Sequence, residues 1–210
     1  MSLERRKLPR QARSTLTVEA ILEGAIQVLL ASGSAQLNTT RVAHRAGVSV
    51  GTLYQYFPNK QALLFALVDR HLVVLVEAME NACSENLGTT ADAMAELIVK
   101  TWLEAKRRQS DVSRAVYHVA LELDARGLLD AAIRRCEVAI TDMLATAQDG
   151  TFVDAEIVAQ VLLATIYGTV RVFYERGTPP EIGSEVERQL TLMCQSYLKA
   201  AKLPALPTLE

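Results

Sequence analysis

Three cysteines in 210 residues, Cys83, Cys136 and Cys194, are odd in number and widely separated. That argues against a disulfide framework or a zinc site. Aromatic residues are scarce at 5%, while Ala, Leu and Val dominate, a balance that favours helices packed on helices. The longest apolar runs, such as Leu72 to Val76, look far too short to span a bilayer, and the opening MSLERRKLPRQARS has no apolar signal-peptide run behind its charges. The expectation is a cytoplasmic protein with no membrane partner. Catalytic signatures are missing as well. There is no strand leading into a glycine-rich loop, no His-x-x-x-His pair, and His44, His71 and His118 are scattered through helical patterns. No enzyme, metal or cofactor is therefore expected.

What the chain does have is apolar residues at half of all positions, enough for a substantial core, and charge that is unevenly spread. Residues 1–60 hold eight Lys/Arg against three Asp/Glu, net +5, and residues 61–210 hold fourteen against twenty-one, net -7. A basic end on an acidic remainder points to a polyanionic partner at the N-terminal side. Residues 1–14, with five Lys/Arg and little to bury, read as a basic flexible arm.

The segment Thr39 to Lys60, TTRVAHRAGVSVGTLYQYFPNK, organises the rest. Before it, Thr17 is the expected N-cap of a helix whose Val18, Ile21, Leu22, Ala25, Ile26 and Leu29 recur at three- and four-residue spacing up to a stop at Gly33. Thr39 or Thr40 then caps a short helix, Gly47 makes a turn, and Ser49 caps a third helix. Successive residues rotate by about 100°. Leu53 and Phe57 therefore face inward, and the opposite side centres on Gly51 and Gln55, flanked by Thr52 and Tyr54, with Val50 and Tyr56 at its margins. Glycine inside a helix costs roughly 1 kcal/mol relative to alanine, so Gly51 implies close approach to something. Hydroxyls and an amide on such a face suit major-groove reading. Lys60, badly placed for the helix dipole at the start of the next helix, suits a phosphate.

The pattern T-T-x-x-V-A-x-x-A-G-V-S-x-G-T-L-Y-x-Y-F-x-x-K over Thr39 to Lys60 resembles the DNA-binding domain of the TetR family of transcriptional regulators, and the likeness extends over roughly residues 13–70. Gly24 departs from it, standing where the family commonly has alanine. The resemblance implies that Thr40 and Lys60 meet phosphates and that the Val50 to Tyr56 helix enters the major groove. The candidate DNA-binding set is Thr39, Thr40, Ser49, Val50, Gly51, Thr52, Tyr54, Gln55, Tyr56 and Lys60.

Beyond Lys60 the pattern predicts helices over about 61–82, 91–108, 112–124, 128–147 and 154–176, the last of these stopped by Gly177-Thr178-Pro179-Pro180, and a final helix from Glu181 or Ser184 to about Ala201. The last two carry more apolar surface than one core needs, which suggests burial against a second copy through Val158, Val161, Leu162, Thr165, Gly168, Thr169, Val172, Leu190, Met193 and Tyr197. The family commonly dimerises in that way, and its members usually bind a small effector in the C-terminal body. Trp102, Tyr117, His118, Tyr167 and Arg171, with Tyr174 beside them, are the effector-binding candidates because each joins bulk to a polar group. The expected architecture is all-α, with about nine helices: a basic flexible arm (1–14), a three-helix helix-turn-helix domain (15–60), a helical effector-binding and dimerisation domain (61–202), and a loose tail (203–210). The expected function is a homodimeric, ligand-responsive regulator, most simply a repressor released by a small molecule from a near-palindromic double-stranded DNA operator.

Overall fold

The computed structural model describes residues 12–108, 110–175 and 180–203. Most of the expected basic arm, the Gly177-Thr178-Pro179 stop and the tail from residue 204 lie outside them. The described residues form nine helices: α1 (Ala12–Gln36), α2 (Thr39–Arg45), α3 (Val50–Tyr56), α4 (Lys60–Glu85), α5 (Ala91–Arg108), α6 (Ser110–Glu122), α7 (Arg126–Leu144), α8 (Ala155–Glu175) and α9 (Pro180–Ala201). A short antiparallel ribbon pairs β1 (Thr151–Phe152) with β2 (Lys202–Leu203). The all-α expectation holds.

Two compact units share the chain. The first takes the residues up to Leu72 together with 109–129, so the start of α4 and all of α6 belong with the three N-terminal helices. Its core gathers Ile21, Leu22 and Ala25 of α1, Val42 of α2, Leu53 and Phe57, Leu63 and Leu67 of α4, and Val116 and Val119 of α6. α1 starts at Ala12, ahead of Thr17, the expected N-cap. Gly33, at φ 75°, ψ 171°, breaks the helix where expected, and one further helical stretch follows it. Gly24 is the notable residue of α1. A Cβ there would sit 3.1 Å from the Ala46 Cβ and backbone N and 3.2 Å from the Val42 carbonyl oxygen, so its hydrogen lets α2 pack directly on α1. Arg70 of α4 reaches back to Glu19 of α1 at 2.8 Å, and the buried His71 shares a 3.2 Å hydrogen bond with Ser113 of α6.

The second unit takes Val73–Arg108 and the residues from Asp130 onward. α5 presents Met94, Ile98, Val99 and Leu103, α7 Ile140 and Met143, α8 Leu162, Leu163 and Ile166, and α9 Leu190 and Leu198 to one core. Asp149, in the α7–α8 loop, accepts a hydrogen bond from the Ala91 N–H at the start of α5 and forms an ion pair with Lys202 of β2. One carboxylate thereby ties the start of α5 to the end of the α9 segment. Arg135 holds Glu80 through two hydrogen bonds of 2.8 and 2.7 Å, which raises the guanidinium's pKa further. All three cysteines are free and buried, and burial, helped by the neighbouring Cys136, pushes Cys83 up to about 12. Thiols so raised are poor nucleophiles and poor metal ligands. Among the described residues no cluster of His, Cys, Asp and Glu could hold a metal ion.

One expectation from the sequence needs correction. Ser14–Gln36 and Ala155–Phe173 are long and apolar enough to cross a membrane by length and composition, because the charges in them are few rather than absent. Both bury a stripe in a protein core, which is the pattern of core helices that pass the same test.

Candidate nucleic-acid interface

Local chemistry builds the α2–α3 unit. Asn38, and neither Thr39 nor Thr40, caps α2, its side chain accepting the Arg41 N–H at 2.9 Å. Gly47 turns the chain with φ +67°, and the Val48 N–H donates to the Ala43 carbonyl at 3.0 Å. Ser49 caps α3 as expected: its hydroxyl oxygen accepts the Thr52 N–H at 2.9 Å and lies 2.8 Å from the Thr52 hydroxyl. Capping of this kind contributes about 1 kcal/mol, a large share of what a seven-residue helix needs. Leu53 and Phe57 are fully buried and pin the helix to its core.

The remaining face is free. Gly51, Tyr54 and Gln55 are exposed, Val50 and Thr52 are half-buried, and a Cβ at Gly51 would meet nothing but the Ser49 hydroxyl at 3.7 Å. The chain's own packing therefore gives no reason for a glycine at position 51. Tyr54 shares a 3.1 Å hydrogen bond with Thr39, so the phenol is aimed by α2 while its ring stays accessible. Tyr56 departs from the expectation. It is only 7% exposed and belongs to the core, because its long ring folds inward from the margin of the face.

Thr40 is exposed and Lys60 half-buried at the first turn of α4, which Asn59 caps by accepting the Ala62 N–H at 2.8 Å. The Lys60 ammonium donates to the Ser34 carbonyl at 2.7 Å, and the Ser34 hydroxyl donates to Glu122 of α6 at 2.9 Å. Lys60 is thus held over the C-terminal end of α1. Arg41, His44 and Arg45 make α2 an exposed basic helix, a feature not included in the candidate set although three basic side chains in seven residues signal it. Arg45 is steadied by Gln27 of α1 at 2.5 Å and Arg41 by the Gln36 carbonyl at 3.3 Å.

The effector candidates divide. Trp102 and Tyr167 meet in the second unit with ring centroids 6.2 Å apart in an edge-to-face arrangement. The Trp102 indole N–H is buried without an acceptor among the described residues, a state that costs roughly 1–3 kcal/mol. Tyr117 and His118 instead belong to the first unit, their rings 6.3 Å apart, and His118 borders an open groove of about 600 Å³ between α1 and α6. Arg171 is exposed on α8, and the side chain of Tyr174 lies outside the described residues.

The interface candidates divide too. Val158, Leu162 and Leu190 are buried in their own chain's core, so they have no surface to offer a second copy. Val161, Val172 and Met193 are 43%, 42% and 44% exposed, and Thr165, Gly168, Thr169 and Tyr197 are half-buried. The uncovered stripe of α8 runs through Ile157, Val161, Ala164, Gly168 and Val172, and a Cβ at Gly168 would meet nothing within 4 Å.

Comparison with known proteins identifies the fold and the family. Residues 21–67 match the family model for bacterial regulatory proteins of the tetR family, and residues 90–198 match that for the tetracyclin repressor-like C-terminal domain. A fatty acid metabolism regulator protein of Bacillus subtilis is 32% identical over 80 residues, 38% of this chain and 41% of its own. The chain thus spans well under half of that relative. A TetR-family transcriptional regulator from Mesorhizobium loti superposes with a TM-score of 0.77 at 14% identity, over 92% of this chain and 100% of that one. The regulator FadR of Bacillus subtilis, solved with stearoyl-CoA, gives 0.64 at 19% identity, over 85% and 98%. Such distant likenesses speak to the fold, and the C-terminal match alone spans half of the sequence. The chain belongs to the TetR family of bacterial regulatory proteins, which are DNA-binding transcription regulators rather than enzymes.

Proposed function

We propose that this chain works as a homodimeric repressor that leaves its operator when a small molecule binds the second unit. The observation that carries the DNA-reading part is the outward face of α3: Gly51, Tyr54 and Gln55 stand exposed on a helix fixed by Ser49, Leu53 and Phe57, and no internal contact accounts for the glycine. Gln55 offers paired hydrogen bonds to adenine, and Tyr54 a hydroxyl to a base edge or phosphate. Thr40, Lys60 and the basic residues of α2 supply phosphate contacts. Lys60 reaches a phosphate from the position in which the Ser34 carbonyl holds it.

Two copies joined through the uncovered α8 stripe and the exposed Leu192 and Met193 of α9 present two α3 helices to successive major grooves, about one helical turn apart. α4 gives its first part to one unit and the remainder to the other, so a change in packing around residues 73–85 is carried to Lys60 along one continuous helix. Repression follows because a compact dimer on a promoter excludes polymerase. The relative named for fatty acid metabolism and the stearoyl-CoA in FadR favour an acyl compound as effector.

Selection of bound genomic fragments at moderate salt, followed by release assays with acyl compounds, tests the reading. An enriched near-palindromic fragment whose affinity falls steeply with salt is expected, and the slope drops by about one for each phosphate contact removed with Lys60→Ala. Absence of any enriched fragment refutes it.

A further inference from the structure

Met94, Ile98 and Trp102 follow one another at four-residue steps along α5, and all three are buried. The next step is Lys106. A position that continues an apolar stripe is a costly place for an ammonium group. Lys106 is half-buried, and it makes no ion pair or hydrogen bond among the described residues. One turn before it, the Trp102 indole N–H is buried without an acceptor among the described residues, and its ring meets that of Tyr167 edge-to-face. The same helix face thus carries two hydrogen-bond donors, one of them cationic, and no acceptor meets either among the described residues.

We propose that Trp102 and Lys106 together take the head group of the effector, and that the effector is an amphiphile with an apolar body and an anionic, hydrogen-bond-accepting head, as in an alkyl carboxylate. This assignment rests on the ligand-released repressor reading above. The chemistry selects the class by elimination. A cationic head is repelled by Lys106, and a neutral alcohol satisfies the indole but leaves the ammonium unmet. An anionic acceptor satisfies both, while the Met94, Ile98 and Trp102 stripe of α5 is apolar like the chain it carries. Burial already lowers the Lys106 pKa to about 8, the direction expected of a cation lacking its counter-charge.

Trp102 is the only tryptophan in the sequence, so its fluorescence reports on this site alone. The full-length protein is titrated with alkyl carboxylates from octanoate to palmitate below their micellar concentrations, each beside its matched alcohol and alkyltrimethylammonium ion. A saturable change in emission is expected with a carboxylate, with affinity about tenfold or more above the matched alcohol. Lys106→Met should erase that preference while alcohol binding and helical circular dichroism persist. Trp102→Phe, followed by calorimetry, should weaken carboxylate binding about fivefold or more. No saturable response, equal affinity for acid and alcohol, or a preference that survives Lys106→Met each overturns the assignment. Parallel assays on the recovered operator separate the two readings. Operator release by other compounds with Trp102 silent refutes the head-group site alone, whereas a carboxylate preference without any operator binding refutes the repressor reading alone.

Discussion

α3 and α8 each leave one face uncovered, and the two faces are opposite in chemistry. On α3 the free surface is Gly51, Tyr54 and Gln55, polar groups around a bare backbone position. On α8 it is Ile157, Val161, Ala164 and Val172, an apolar stripe with the open Gly168 among them. Water tolerates the first face and not the second. A polar face left free by a well-anchored helix therefore reads as a site for a hydrated, hydrogen-bonding surface such as a DNA groove, and an apolar one as half of an interface.

The largest effect should come from attacking the apolar face. Val161→Arg places a charge on a stripe that a second copy must desolvate, and truncated or mismatched charges at such interfaces cost about 2–5 kcal/mol. Sedimentation should show the shift from dimer to monomer, with operator affinity falling about a hundredfold or more because a single half-site remains. Val161 is 43% exposed, so helical content should survive. An unchanged dimer would remove α8 from the interface and break the comparison at its apolar end.

A smaller effect is expected on the polar face. Tyr54→Ala removes a groove contact and the hydrogen bond to Thr39, and operator affinity should fall by about 1–3 kcal/mol equivalent in a gel-shift titration. Tyr54 is 41% exposed, so the melting temperature should hardly move. Equal losses in both measurements would make Tyr54 a structural residue and leave α3 without its central reader.

Comparing the two faces also explains what was legible in the sequence. Period and capping chemistry located Leu53, Phe57 and Ser49 correctly, because helix rotation and a side-chain acceptor are local properties. Tyr56 was not legible, since a residue at the margin of a face can fold its ring to either side. Asn38 competes with two threonines for one cap, and only the backbone geometry decides among them. On α8 the apolar count correctly signalled a surplus. It could not say which stripe meets the chain's own core, and Val158 and Leu162 proved to be the inner one. The β1–β2 ribbon gave no pattern at all, because two-residue strands joined across fifty positions depend on the Asp149–Lys202 contact and not on periodicity.

The smallest effects come from two glycines that separate a covered helix face from an uncovered one. At Gly24 a methyl group meets the Ala46 backbone nitrogen at 3.1 Å and the Val42 carbonyl oxygen at 3.2 Å, atoms that move only if α2 moves. Overpacking of that kind costs about 1–3 kcal/mol, and the helix propensity of alanine returns about 1. Gly24→Ala should therefore lower stability by up to about 2 kcal/mol in a denaturant titration. At Gly51 the same methyl group finds open space, so Gly51→Ala should raise stability by up to about 1 kcal/mol. Its operator affinity should nonetheless fall, because the added methyl stands where the groove wall must come close. A variant that gains stability and keeps full affinity would show that Gly51 answers to neither the fold nor the DNA, and the assignment of that face would then depend on Tyr54 and Gln55 alone.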